Sequence, residues 1–197
     1  MSRDTFIKAM AFEGECVSIG GGEPTLHPQF WEFIGLALGS ADYVWLATNG
    51  TQTLTALALA KLAKKGVIGC ELSLDDGWHD GSMVDQEVKV AFWDLKAGIR
   101  DISKSGSQDP CRAGRYNDFR EEDEGIDNCV CPDLLIRPNG DIMACGCEDA
   151  PQMGSVFDPS VIFDDPDFEW GECWKDQERF KKGGDAIETH NAMVQKV

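Results

Sequence analysis

Short apolar runs alternate with longer amphipathic segments through the first half of the chain. Residues 16–19, 43–47 and 68–74 predict strands, each followed closely by glycine, asparagine or aspartate. Helices are predicted between them, over residues 28–38 and 52–65. The order strand, helix, strand, helix, strand predicts an α/β fold. Its strands should be parallel, with function at their carboxyl ends.

Two further elements are predicted in this half, together with the end and the inner face of the helix over 52–65. Residues 2–12 predict a helix with Ser2 as its N-cap. Its apolar face comprises Phe6, Ile7, Met10 and Ala11. The helix over 52–65 is predicted to end at Gly66. The residues predicted for its inner face are Leu54, Leu57, Ala58 and Leu62. Residues 88–93 predict a fourth strand.

The pattern changes in the second half of the chain. Residues 103–127 are polar, charged and dotted with glycine, which predicts a loop with a short helix. Residues 134–145 predict a hairpin that turns at Asn139-Gly140, although Pro138 leaves the turn type open. The acidic tail is predicted to close with a helix that begins near Asp185.

Composition and charge narrow the class of protein. A hydrophobic fraction of 42% is ordinary for a globular chain. No apolar run approaches the ~20 residues that span a bilayer, and the N-terminus lacks the apolar core of a signal peptide, so a cytoplasmic location is expected. The 35 acidic residues outnumber the 18 basic ones, giving a net charge of −17. Because that charge repels phosphate, we expect no binding to nucleic-acid backbones.

The eight cysteines favour metal ligands or reduced thiols over disulfides, because no export signal is seen. Two C-x-C pairs flank the predicted hairpin, and they comprise Cys129, Cys131, Cys145 and Cys147. Four thiolates at one end of a hairpin suit Zn²⁺ or an iron–sulfur cluster. The alternative is that these cysteines are reduced thiols in a small β-subdomain that packs without metal.

Three consecutive glycines follow the first predicted strand and precede Glu23. One interpretation is a tight turn in which glycine supplies a positive φ. The run is neither a P-loop nor a dinucleotide fingerprint, because the residues that define those motifs are absent. The other interpretation is a cation-accepting cradle, in which glycine carbonyls and the Glu23 carboxylate hold an ammonium group.

The segment GGEPTLHP, followed by a helix and by a strand ending in Thr-Asn-Gly, resembles the core of radical S-adenosylmethionine (SAM) enzymes. In that family a Gly-Gly-Glu turn holds the amino group of the SAM methionine, and polar residues at later strand ends approach its other parts. The SAM-binding residues implied by the resemblance are Gly21, Gly22, Glu23, Asn49, Ser73 and Asp75. The resemblance also implies an incomplete parallel (β/α) barrel over residues 1–105.

Residues 106–197 resemble the small C-terminal extension of many radical SAM maturases, here termed SPASM-like. In such extensions a cysteine precedes a β-hairpin and a Met-Gly-Ser-Val type stretch, which is matched by residues 153–156. Many bind auxiliary iron–sulfur clusters, which favours that cofactor over zinc for the four cysteines. Cys173 is a further candidate ligand. The resemblance implies a peptide or protein as substrate.

The motif C-x-x-x-C-x-x-C that defines radical SAM enzymes is absent from this sequence. We interpret the chain as shortened at its N-terminus. Without the cluster that those thiolates hold, no electron is available to cleave SAM. Two functions from different classes therefore stay open. One is a radical SAM enzyme that needs a missing cluster loop, and the other is a non-catalytic protein that binds a metal or a partner.

Overall fold

A computed structural model describes residues 1–12, 14–74, 80–95, 98–100, 134–146 and 150–158. The chain divides into two compact units, one of which is Met10–Gln108. The other combines Met1–Ala9 with Asp109–Val197. The predicted domain boundary at residue 105 stays a prediction. Within the described ranges, none of the helices has the length and apolar character required to cross a membrane.

The unit Met10–Gln108 is an α/β structure built on one parallel sheet. Its strands are β1 (Cys16–Ile19), β2 (Tyr43–Thr48), β3 (Gly69–Ser73) and β4 (Ile99–Arg100). They lie in the order β1-β2-β3-β4, and each neighbouring pair is parallel. The main helices are α2 (Phe30–Leu38), α3 (Thr53–Lys64) and α4 (Gln86–Trp93). The predicted α/β fold is confirmed, whereas closure into a barrel stays a prediction.

Helices cover one face of this sheet. Five strand side chains on that face are at most 1% exposed: Val44, Leu46, Thr48, Cys70 and Leu72. The register pairs Leu46 with Cys70 and Thr48 with Leu72, so these residues share a face. A Cβ atom placed on Gly50 would meet both Leu72 and Val88 of α4. The tip of β3 therefore packs against α4.

The prediction of a strand over residues 88–93 is wrong, because these residues form most of α4. Val88, Val90 and Phe92 alternate as in a strand, but Val88 and Phe92 also lie one helical turn apart. In the structure those two side chains are fully buried, whereas Val90 is 56% exposed. The fourth strand is β4, which follows α4 and pairs with β3.

The inner face predicted for α3 is also wrong, although the end of the helix is confirmed. Leu54 is 84% exposed, and the buried residues of α3 are Ala56, Leu59 and Ala60. The C-terminus forms a Schellman motif in which Gly66, at φ +72°, donates its N–H to the Ala63 carbonyl at 2.9 Å. Helix α3 carries apolar residues all round, so hydrophobic periodicity did not identify the face that packs on the sheet.

The first helix, α1 (Arg3–Ala9), is shorter than the predicted 2–12. Its N-cap is confirmed, because the Ser2 hydroxyl accepts from the Thr5 N–H at 3.1 Å. Its buried residues are Thr5, Phe6 and Ala9, whereas Ile7 is exposed. Helix α2 likewise begins at Phe30, after the predicted start at Pro28, and a 3-10 helix (Pro24–Leu26) precedes it.

The described part of the other unit contains a three-stranded antiparallel sheet. Its strands are β5 (Leu135–Ile136), β6 (Asp141–Met143) and β7 (Gln152–Ser155). Gly140 donates its N–H to the Arg137 carbonyl at 2.9 Å and has a φ of +96°. Pro138 at the second position of the turn fits a type I turn with a glycine bulge, which completes the predicted hairpin. The predictions for residues 103–127 and for the closing helix lie outside the described residues.

Candidate functional site

The side chain of Glu23 joins the segment after β1 to the end of β2. Its Oε1 atom accepts from the Thr25 N–H at 3.1 Å and from the Thr25 hydroxyl at 2.6 Å. From β2, the Thr48 hydroxyl donates to the same oxygen at 2.8 Å. The Asn49 N–H donates to Oε2 at 2.6 Å. We call Glu23, Thr25, Thr48 and Asn49 the Glu23 cluster.

Three supporting hydrogen bonds fix the side of this cluster that β2 supplies. The Thr48 hydroxyl oxygen accepts from the Gly50 N–H at 3.1 Å. The Asn49 side-chain oxygen accepts from the N–H and the hydroxyl of Thr51, at 3.0 and 2.8 Å. Asn49 therefore uses its side-chain oxygen in a local turn and reaches Glu23 through its backbone N–H.

The four donors leave the Glu23 carboxylate with limited capacity to accept more. A carboxylate offers about four acceptor positions, two on each oxygen. Among the described residues, Oε1 receives three donors, one more than its two positions, whereas Oε2 receives one. The acceptor position that is left lies on Oε2. An ammonium group, which has three donors and no acceptor, could use it together with nearby carbonyls.

The glycine run beside Glu23 is exposed and has room around its backbone. Only Gly21 has a positive φ, at +125°. A Cβ atom at Gly20, Gly21 or Gly22 would meet nothing within 4 Å. The tight-turn interpretation therefore accounts for Gly21 but gives no reason for glycine at positions 20 and 22. Open space beside bare backbone is where a ligand could approach closely.

The remaining predicted SAM residues lie differently. Ser73 is the last residue of β3 and is buried, so it lies at the same end of the sheet as the Glu23 cluster. Leu72 shares a face with Thr48, and the next residue of a strand points to the opposite face. Ser73 and Thr48 therefore point to opposite faces of the sheet. Asp75 lies outside the described residues.

The predicted metal ligands are only partly described. Cys145 is buried just beyond the end of β6. The positions of Cys129, Cys131, Cys147 and Cys173 lie outside the described residues. Among the residues that are described, no group of three or more His, Cys, Asp or Glu side chains could hold a metal ion. The four-cysteine site stays a prediction.

Cys70 lies on β3 beneath the Glu23 cluster, on the face that the helices cover. Burial raises the pKa of its thiol from 9.0 to about 12, and the charges of Glu23 and Glu71 add to that rise. The side chain is therefore a neutral thiol at neutral pH. Because the thiolate is the form that binds metals and attacks electrophiles, Cys70 is suited to packing and not to chemistry.

Sequence reasoning missed Thr25 and Thr48. Thr25 stands two residues after a carboxylate, a spacing at which a hydroxyl and an N–H can meet an N-cap, so a local signal for it existed. Thr48 is 25 residues away from Glu23 in the sequence. Its role depends on the parallel pairing of β1 with β2, which no local pattern shows.

Comparisons with known proteins match part of the chain. A stretch of 59 residues, 30% of this chain, is 41% identical to the mycofactocin maturase MftC of Mycobacterium ulcerans and covers 16% of that protein. Stretches of the same length are 39% identical to MftC of Mycobacterium tuberculosis strain H37Rv and 41% identical to MftC of Mycolicibacterium smegmatis. The comparison supports the radical SAM superfamily.

The match is local. The matched stretch spans only 15–16% of the length of these curated relatives. No family model matches this chain. No solved structure matches it.

Proposed function

We propose that the Glu23 cluster and the adjacent glycines form the ammonium subsite of a SAM-binding site. The observation that supports this proposal is the carboxylate of Glu23, which four donors hold at the carboxyl end of a parallel sheet. Ligands of open α/β sheets bind at that end of the strands. The sequence resemblance and the local similarity to MftC point to the same ligand.

The chain's residues fit a methionine ammonium group. The position left on Oε2 would accept one of its three donors, and the carbonyls of the exposed residues Gly21 and Gly22 are proposed as acceptors for the others. The negative charge of Glu23 complements the positive charge of the ligand. Asn49 holds the carboxylate through its N–H, and Ser73 and Asp75 are proposed to contact other polar parts of SAM.

Bound SAM supplies a 5′-deoxyadenosyl radical when a [4Fe–4S] cluster reduces it. The residues of this chain do not fit that cluster, because the sequence contains no C-x-x-x-C-x-x-C. The role proposed for the chain is therefore to bind and orient SAM, and the thiolates for radical initiation must come from outside the sequence printed here. The SPASM-like extension is proposed to carry an auxiliary iron–sulfur cluster on Cys129, Cys131, Cys145 and Cys147.

A peptide or protein is the proposed substrate class. The relatives that match are maturases of mycofactocin, and maturation acts on a precursor made of amino acids. The second candidate function is a non-catalytic protein that binds a metal or a partner. The absence of the cluster motif favours this candidate.

Calorimetric titration of the chain with SAM tests the proposal. We expect wild-type protein to bind SAM and Glu23→Gln to bind it at least tenfold more weakly, because losing a charge-assisted hydrogen bond costs about 1.5–3 kcal/mol. Asp80→Asn is the matched control, since Asp80 caps a similar turn away from the cluster. Asp80→Asn should bind as the wild type does. Failure of wild-type protein to bind SAM would favour the second candidate.

A further inference from the structure

We propose that Thr48 is a positioning residue for ammonium recognition. Its buried hydroxyl ties Oε1 of Glu23 to β2, so that Oε2 is presented to the ligand in one fixed orientation. Thr48 is not itself proposed to touch the ligand. The inference rests on the proposed SAM site, and it assigns specificity for the amino group to a residue behind the site.

The direction of the Thr48 hydroxyl follows from its two neighbours. A threonine hydroxyl has one proton to donate. The Gly50 N–H can only donate, so the Thr48 oxygen must be its acceptor at 3.1 Å. Glu23 Oε1 at 2.8 Å is then the acceptor for the Thr48 proton. The backbone of Gly50 thus orients a proton toward one oxygen of the carboxylate.

That proton ties one carboxylate oxygen to β2. With Thr48 in place, the described residues give three donors to Oε1 and one, the Asn49 N–H, to Oε2. Without the Thr48 hydroxyl, two donors from the single residue Thr25 would hold Oε1, and Asn49 alone would hold the carboxylate from β2. The carboxylate would then be less fixed in rotation, and an ammonium would meet it in several arrangements.

Thr48 is better suited to this role than Thr25. It is 1% exposed, and its backbone is held by pairing with Leu72 of β3. Its β-branched side chain has few rotamers, so the position of its oxygen is well defined. Thr25 lies on a partly exposed turn two residues from Glu23 and moves with that turn. Thr48 therefore holds the carboxylate in a fixed position relative to the sheet.

The test uses the full chain and two ligands that differ by one group. S-adenosylhomocysteine carries the ammonium, and its deamino analogue keeps the carboxylate but lacks the amino group. Affinities for both are measured by calorimetry with wild type, Thr48→Val and Thr48→Ser. Valine keeps the shape of threonine and removes the hydroxyl, whereas serine restores it. Thr25→Val, which removes a hydroxyl from the same oxygen without touching β2, is measured in parallel.

We expect Thr48→Val to weaken S-adenosylhomocysteine binding about tenfold, because a carboxylate that is less fixed in rotation must be ordered when the ammonium binds. The affinity for the deamino analogue should stay within twofold of wild type, and Thr48→Ser should recover the preference for the amino group. Thr25→Val should lose part of that preference. A merely structural role would instead weaken both ligands equally, which would overturn the inference.

The other outcomes also decide. If wild type prefers S-adenosylhomocysteine and Thr48→Val keeps that preference, the inference is wrong while the proposed function stands. If wild type shows no preference, the ammonium subsite itself is wrong, and the inference fails with it. Should Thr48→Val not fold, an unchanged preference in Thr25→Val would overturn the idea that hydroxyl donors to Oε1 set the specificity.

Discussion

The connections that follow β1 and β3 use the same capping chemistry, but only the first also bonds to a neighbouring strand. After β1, Glu23 caps a 3-10 helix by accepting from the N–H and the hydroxyl of Thr25. After β3, Asp80 caps the 3-10 helix Gly81–Met83 by accepting from the N–H and the hydroxyl of Ser82, at 2.9 and 2.6 Å. Both caps are formed by residues two positions apart.

The difference lies in what else reaches each carboxylate. Glu23 accepts two further hydrogen bonds from Thr48 and Asn49 on the neighbouring strand. Asp80 is exposed, and the hydrogen bonds from Ser82 lower the pKa of its carboxyl. A cap of this kind can form from local sequence alone, whereas a site needs donors that the tertiary fold supplies. The same local motif therefore acquires a further role only where the sheet brings a second strand to it.

The largest expected effect is a loss of stability when the carboxylate of Glu23 is replaced by an amide. The same replacement at Asp80 is the comparison. Glu23→Gln places an NH₂ group among four donors, so at least one partly buried donor loses its partner. We expect the free energy of unfolding to fall by about 2–4 kcal/mol. Asp80→Asn should leave the urea midpoint unchanged, because asparagine caps helices as well as aspartate does. Urea denaturation followed by circular dichroism measures both variants. Equal effects of the two substitutions would contradict the distinction between the turns.

Alanine substitutions in the glycine run beside Glu23 should have the next largest effects, on stability at Gly21 and on SAM affinity at Gly22. Gly21→Ala should lower the free energy of unfolding by about 1–3 kcal/mol, because φ at this position is +125°. Gly22→Ala should leave stability unchanged, since its Cβ would meet nothing within 4 Å. It should nevertheless weaken SAM binding measurably if the ligand lies against this backbone. Unchanged SAM affinity in Gly22→Ala would show that the glycine serves only the unliganded chain.

The smallest expected effect is the pH dependence contributed by the Cys70 thiol. Its pKa is raised by burial and then by the charges of Glu23 and Glu71. Because the folded-state pKa is about 12 and the ordinary value is 9.0, its contribution to stability is present below pH 9. It is lost as the pH rises toward 12. Alkylation with iodoacetamide at pH 8, mapped by mass spectrometry, should modify exposed Cys16 and spare Cys70.

The same measurement sharpens the comparison of the two turns. Glu23→Gln should lower the pH at which Cys70 becomes reactive, because one of the charges that raise its pKa is removed. Asp80→Asn should leave that pH unchanged, since Asp80 is not among the groups that shift Cys70. A shift of the same size in both variants would mean that general loosening, and not the charge of Glu23, controls Cys70.

Much of the parallel sheet could be predicted from the sequence because its strands are short apolar runs bounded by turn residues. Strand β1 was predicted at its observed bounds, and the ends of α3 and of the hairpin follow from Gly66 and Gly140, which have positive φ. The errors came where one pattern fits two structures. Val88 and Phe92 suit a strand by alternation and a helix by their spacing, and only burial against the sheet distinguishes the two.

The candidate site was predictable only in its local part. Glu23 and Asn49 were predicted as site residues, and the structure brings them to 2.6 Å. No local pattern indicates that Thr48 shares the carboxylate, because that contact requires the register of β1 on β2. It also could not show that Oε1 would be occupied by three donors, since hydrogen-bond counts belong to the tertiary structure.

The position of β1 in the sheet links ligand binding to local unfolding. In the described part of the chain β1 is the last strand of the parallel sheet, with β2 on one side. Glu23 follows this strand after three glycines, so fraying of β1 from β2 would loosen the hold of Thr48 and Asn49 on the carboxylate. A ligand held by Glu23 binds only the docked form and should therefore slow amide hydrogen exchange along β1. Exchange rates in β1 would then report the occupancy of a site whose carboxylate lies beyond the end of the strand.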